Sequence, residues 1–226
     1  MPQLSVDFVI TIYGVIFAAY FAGSIRYSLV PTIYVDPFTA DMILMKPLQI
    51  RLTLLTILIL ATALFRLVPH WYNFTPVAAI ALFGAASFDR KWLGLFIPLA
   101  AMLLSDTLIG FHNSMGAVYI SFALVWLIGL WSLQHPTAGR IALASVSSSV
   151  LFFLITNFAV WYGSTFYPQT AAGLMGCYVS GLAFYNGTSF FLNALLGDLF
   201  FSAVLFGSYY LLQQRFTVLR PVRLND

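Results

Sequence analysis

Apolar residues along this chain come in long unbroken runs, and the polar residues between them are short interruptions. Taking about 20 residues as the length that crosses the hydrocarbon core of a bilayer, the runs fall at 8–30, 50–68, 74–88, 92–111, 116–134, 140–162 and 187–213. They predict seven helices. The third is short and is entered through Asn73-Phe74-Thr75-Pro76, where Thr75 suits an N-cap and Pro76 the first helical residue. Strict alternation, the mark of a membrane β-barrel strand, is absent, and residues 163–186 read as one long connection.

The fold class that follows is all-α, a polytopic integral membrane helix bundle. Residues 1–49 hold an N-terminal transmembrane helix and a connecting segment, 31–47, whose apolar patch at 42–45 suits the membrane interface. Residues 50–226 form a six-helix membrane domain without an internal repeat of the kind many secondary transporters carry. Small residues four apart let helices approach closely: Ala18 with Ala22, Ala81 with Ala85, Ala144 with Ser148. Such faces serve internal packing or the docking of a partner subunit.

Composition agrees with the pattern. Of 226 residues, 61% are hydrophobic and 8% charged, far from a soluble domain of this length. A bilayer solvates that apolar surface and asks only that backbone polar groups be satisfied internally, as helices do. The formal charge is +3, but the basic residues stand singly or in pairs between apolar runs and form no stripe with interleaved aromatics. No nucleic acid is expected as a partner. The single cysteine, Cys177, excludes an internal disulfide and any Cys-x-x-Cys motif. The apolar stretch from Phe8 to Gly23 has no Lys or Arg before it and reads as a retained helix rather than a cleaved signal.

Charge placement also predicts orientation. If the C-terminus is cytoplasmic, all of the 10 Lys+Arg except Arg66 fall at the cytoplasmic side, as the positive-inside rule requires. The expected setting is the bacterial inner membrane, multi-pass, with the N-terminus outside.

Candidate chemistry gathers at the outer side. The connections there carry His70, Trp71, Tyr72 and Asn73, then Phe111, His112 and Asn113, then Tyr162, Tyr167, Cys177 and Tyr178. Such loops suit a ligand cavity; a plain aromatic belt is the alternative. Just below them, Arg66, Asp106, Asn157 and Asn193 share one depth, and ionisable groups inside a membrane demand a partner or a function. Arg66 and Asp106 are expected to pair. Asn157 and Trp161, four apart on one helix face, are expected to line the pocket with Tyr167. The ligand-binding set is therefore Arg66, His70, Asn73, Asp106, His112, Asn157, Trp161, Tyr167 and Asn193. Asp198, deeper, reads as a buried, protonated packing acid. His70, His112 and Cys177 would suit a soft or borderline metal if they converged, but only their shared side supports that, chance co-location is the favoured reading, and no metal or cofactor is assigned.

Several of these residues sit in familiar runs: Asn73-Phe74-Thr75-Pro76-Val77, Ala81-Leu82-Phe83-Gly84, Ser105-Asp106, Gly110-Phe111-His112, Tyr167-Pro168, Cys177-Tyr178 and Leu196-Gly197-Asp198-Leu199. Over residues 60–213 the chain resembles a family of uncharacterised bacterial integral membrane proteins. That family is similar in size and helix count to the substrate-binding S components of energy-coupling-factor (ECF) vitamin transporters. The resemblance implies a six-helix ECF S-component-like core plus one N-terminal transmembrane helix, seven spans in all. It also implies a small-molecule ligand taken from the outer side. Ala183 and Ala194 depart from the family pattern, which has Pro and Thr there.

No P-loop, His-Glu-x-x-His or Gly-x-Ser-x-Gly is present, and the chain is expected not to be an enzyme. The function expected is substrate binding for uptake of a small micronutrient, a vitamin or cofactor precursor. A structural or assembly subunit of a larger membrane complex is the alternative. Expected partners are the lipid bilayer, the ligand, and an energising membrane module or other membrane subunits docked on the small-residue faces.

Overall fold

A computed structural model describes residues 47–67, 71–111, 114–183, 189–216 and 219, all within one compact unit that begins at Lys46. The expected span at 8–30, the patch at 42–45 and the Ala18 and Ala22 pair lie outside the described residues. The helices are α1 (Pro47–Leu64, continued by a 3-10 turn, Phe65–Leu67), α2 (Val77–Ser87), α3 (Lys91–Ile109), α4 (Met115–Ser132), α5 (Ala138–Gly163), α6 (Ala171–Leu182) and α7 (Phe190–Arg215). No strand occurs among the described residues.

Five helices, α1 with its 3-10 turn, α3, α4, α5 and α7, are 18 to 26 residues long and apolar enough to cross a membrane. At ~1.5 Å per residue they are about 27–39 Å long, against a hydrocarbon core of ~30 Å. Their outward faces carry large apolar side chains, such as Phe96, Leu108, Leu143 and Leu211. This is the bundle of a multi-pass membrane protein.

The short helix, α2, is the hub. It packs against α1, α3, α4, α5 and α7, and nearly every residue from Val77 to Ser87 is buried. A helix apolar on all sides has no solvent face and belongs in a core. Glycines make the close approaches possible. A Cβ on Gly84 would run into the Gly94 carbonyl of α3, and one on Gly94 into the Gly84 carbonyl, so the two backbones touch. Gly129 of α4 likewise leaves room for Ala85.

The two small-residue pairs among the described residues are used up in this packing. Ala81, Ala85, Ala144 and Ser148 are all buried, so of the two readings of these pairs internal packing holds for them, and they join helices of this chain to one another rather than offering a docking face. Helix α6 is a second departure, lying inside the stretch read as a connection. Thr170 caps it by accepting from the Gly173 N–H at 3.2 Å, and Gly173 packs so closely on the Pro168 backbone that a Cβ has no room. Three glycines within 12 residues dilute its apolar signal, and its length falls well short of a span.

One end of the bundle is clamped by Arg51. Its Nη1 donates to both Asp89 carboxylate oxygens (2.8 and 2.7 Å), Nη2 to the Ser87 carbonyl (2.7 Å) and Nε to the Tyr209 hydroxyl (2.8 Å). Tyr209 in turn donates to the Leu219 carbonyl at 3.2 Å. This fastens α1, the α2–α3 turn and α7 together. The residue read only as an orientation signal is a structural keystone.

Candidate functional site

The opposite end is open, for a reason of length. Helix α2 has 11 residues, about 16 Å, and the helices around it are up to 26 residues long. Where α2 begins, the ring of longer helices therefore encloses unfilled space. A cavity of about 520 Å³ occupies it, within the size range of small-molecule sites.

Its floor is the start of α2, with Thr75, Val77 and Ala78, and Asp198 of α7. The wall is built by Arg66, by Ser114 and Val118, by Phe152, Phe153, Thr156, Asn157 and Val160 of α5, by Cys177, Ser180 and Gly181 of α6, and by Phe190, Phe191 and Ala194 of α7; Asn73 and Tyr167 complete it. The segment leading into α2 is folded tightly. Asn73 takes φ 61°, a left-handed conformation that Asn tolerates better than most residues, and its carbonyl accepts from the Thr75 N–H at 2.9 Å. Gly197 lets α7 close on the Phe74 and Thr75 backbone, 3.1–3.3 Å from where a Cβ would sit. Helix α2 itself starts at Val77 with Pro76 in the N-cap position and no side-chain cap. The expected capping by Thr75 is thus replaced by a place on the cavity wall.

Arg66 and Asp106 do pair, with Nη2 2.5 Å from Oδ1. Arg66 Nη1 also donates to Ser105 Oγ (2.5 Å) and weakly to the Met102 carbonyl (3.4 Å). The second Asp106 oxygen accepts from the Tyr119 hydroxyl at 2.8 Å. The 3-10 turn after α1 is thereby bound to α3 and α4. Both members are largely buried, at 11% and 3% side-chain exposure, so each neutralises a charge that the interior would otherwise penalise.

Of the nine residues proposed from sequence, Arg66, Asn73, Asn157 and Tyr167 line the cavity. Asp106 stands behind Arg66, off the wall. Trp161 is not on its wall; its Nε1–H donates to the Pro168 carbonyl at 2.9 Å while Gln169 donates to the Trp161 carbonyl at 2.7 Å. Asn193 donates to the Tyr72 carbonyl at 2.8 Å and pins the entry segment of α2 to α7. His70 and His112 lie outside the described residues, and with them the question whether they meet Cys177. No group of three or more His, Cys, Asp or Glu occurs among the described residues.

Sequence reasoning left out Thr75, Ser114, Thr156, Cys177, Ser180 and Asp198 as lining residues. Asp198 is buried at 5% exposure. Its Oδ2 accepts from Ser149 Oγ at 2.7 Å, and its carboxylate faces the N–H groups of Ala78 and Ala79. It thus caps α2 from another helix, supplying the acceptor that Pro76 lacks. A lone Asp in an apolar run was the only signal for it. Aromatic rings form the walls, with Phe153 and Phe191 edge-to-face at 5.0 Å. Asn73, Thr75 and Tyr167 have no side-chain hydrogen-bond partner among the described residues.

Residues 46–219 match the family described as a family of unknown function, DUF6580. The chain belongs to that family. The match takes in every helix above, α1 through α7, so the cavity lies wholly in the DUF6580 region. No curated protein and no solved structure matches the chain, and the likeness to ECF S components draws no support from these comparisons.

Proposed function

We propose that this DUF6580 protein binds a small molecule in the cavity at the start of α2, as the substrate-binding component of a micronutrient uptake system resembling the ECF S components. One observation carries the reading: a cavity of about 520 Å³ opening at one end of a membrane bundle, whose aromatic walls are interrupted by Asn73, Thr75 and Tyr167, polar side chains free to meet a ligand. A bundle that serves only as a scaffold packs such space with side chains, because unfilled volume in a core is destabilising. A ligand would fill it and meet the polar groups on its wall. By the positive-inside assignment the cavity faces outward, as capture of an external nutrient requires. The assembly-subunit reading loses part of its basis, since Ala81, Ala85, Ala144 and Ser148 are spent inside the chain.

The deciding experiment is native mass spectrometry of the full-length protein, purified gently from its own membranes. A bound small molecule that is lost from the Asn157→Leu plus Thr75→Val variant supports the proposal. Protein subunits with no small molecule would reject it in favour of assembly.

A further inference from the structure

We propose that the cavity takes an aromatic molecule bearing a cationic nitrogen, an arylalkyl ammonium or a protonated heterocyclic amine, with Asp198 as counter-ion at the floor. This rests on the binding reading above and adds the chemical class of the ligand.

Two formal charges reach the cavity wall, Arg66 and Asp198, and they differ in how far the protein has answered them. Arg66 is matched by Asp106 and donates to Ser105 as well. Asp198 has no Lys, Arg or His at ion-pair distance among the described residues, whose two salt bridges are Arg51 with Asp89 and Arg66 with Asp106. Its neighbours are neutral donors, the Ser149 hydroxyl and the amides of Ala78 and Ala79. A carboxylate offers about four acceptor positions, so three donors leave one, and Asp198 is on the cavity surface. In this proposal Asp198 is ionised, against the protonated packing acid read from the sequence, and the α2 N-terminus, worth roughly half a positive charge, leaves the rest of its charge for a bound cation to match.

The walls point the same way. Phe152, Phe153, Phe190 and Phe191 line the same cavity as Asp198. Ring faces attract cations, most strongly where water is excluded, and they stack on flat rings. An acidic floor under aromatic walls suits a cation on an aromatic frame and disfavours an anion.

Cys177, the single cysteine, lines the same cavity and reports on it directly. The full-length protein in detergent is treated at pH 8 with three methanethiosulfonates: neutral methyl, cationic 2-aminoethyl and anionic 2-sulfonatoethyl. Each rate is divided by that reagent's rate with 2-mercaptoethanol. The expected result is a cation-over-anion preference of roughly ten-fold or more, falling toward one in Asp198→Asn while the neutral reagent's rate is unchanged. Benzylammonium is expected to protect Cys177 from the neutral reagent at a concentration where benzoate does not.

Cys177 is 2% exposed, so if the neutral reagent does not reach it, native mass spectrometry of the full-length protein with benzylammonium or benzoate added decides: binding of neither rejects the binding reading, and equal binding of the two overturns the cationic ligand alone. Neutral labelling with no charge preference leaves the cavity standing and overturns the cationic ligand. A preference that survives Asp198→Asn overturns the role of Asp198. Should Asp198→Asn not fold, the protection experiment on the unaltered protein decides, and equal protection by benzylammonium and benzoate overturns the proposal.

Discussion

At the residue scale, the decisive contrast is between two buried carboxylates. Asp106 is held by Arg66 and Tyr119 and keeps one helix turn fixed to two others; Asp198 is held by a hydroxyl and two amides and meets the cavity. The first arrangement predicts strong coupling. Arg66→Met and Asp106→Leu, each alone, should lose about 3–5 kcal/mol, because the remaining charge stays buried without its partner. The double variant should lose less than the sum of the two, since it leaves no orphaned charge. Thermal melting of the detergent-solubilised protein measures this cycle, and strict additivity would show that the pair contributes no coupling. Tyr119→Phe takes away only one donor and should cost about 1.5–3 kcal/mol, as hydrogen bonds to charged groups do.

Among the helices, glycine positions separate into two kinds that the sequence does not distinguish. Gly84 and Gly94 bring α2 and α3 into backbone contact, whereas Gly207 of α7 has nothing within 4 Å of where a Cβ would stand. Alanine at Gly84 therefore has to push two helices apart. The loss should be about 1–3 kcal/mol or more, read as a lowered melting temperature or failure to accumulate in the membrane. Alanine at Gly207 should be neutral or stabilise by about 0.5–1 kcal/mol, because glycine in a helix interior has excess freedom in the unfolded chain. Equal effects at the two sites would contradict the crossing of α2 and α3. The same logic gives α6 its place: Thr170 starts it, Gly173 seats it on Pro168, and Gly181 makes room for Asn157, whose Oδ1 lies 2.7 Å from the missing Cβ.

For the molecule as a whole, a short hub inside longer helices yields two unlike ends, one clamped by Arg51 and one hollow. The orientation proposed from the positive-inside pattern puts the hollow end on the outside, and it can be tested. In a Cys177→Ser background, cysteine at Gln169 should react with a membrane-impermeant maleimide added to intact cells. Cysteine at Arg90 should react only after the membrane is permeabilised. The reverse result would turn the cavity toward the cytoplasm and remove the reason for reading it as a site of uptake.

What the chain order alone determined is whatever depends on local composition and length: an all-helical membrane bundle, five long spans among the described residues, and a third apolar run too short to match its neighbours. Hydropathy summed over a window is insensitive to which helix packs on which, so those features were legible. Arg66 with Asp106 was also legible, because isolated charges within apolar runs must find each other. Trp161 and Asn193 show the limit: both sit at the right depth, yet one indole turns to Pro168 and one amide to Tyr72, and depth says nothing of rotation about the helix axis. Only the tertiary structure decided that the small-residue faces at Ala81 and Ala85 and at Ala144 and Ser148 are internal, that 171–182 is a helix, and that Asp198 caps α2 at the floor of a cavity. Each depends on the length of one helix relative to those around it and on the direction each side chain faces once they pack, and neither is a property of any single segment.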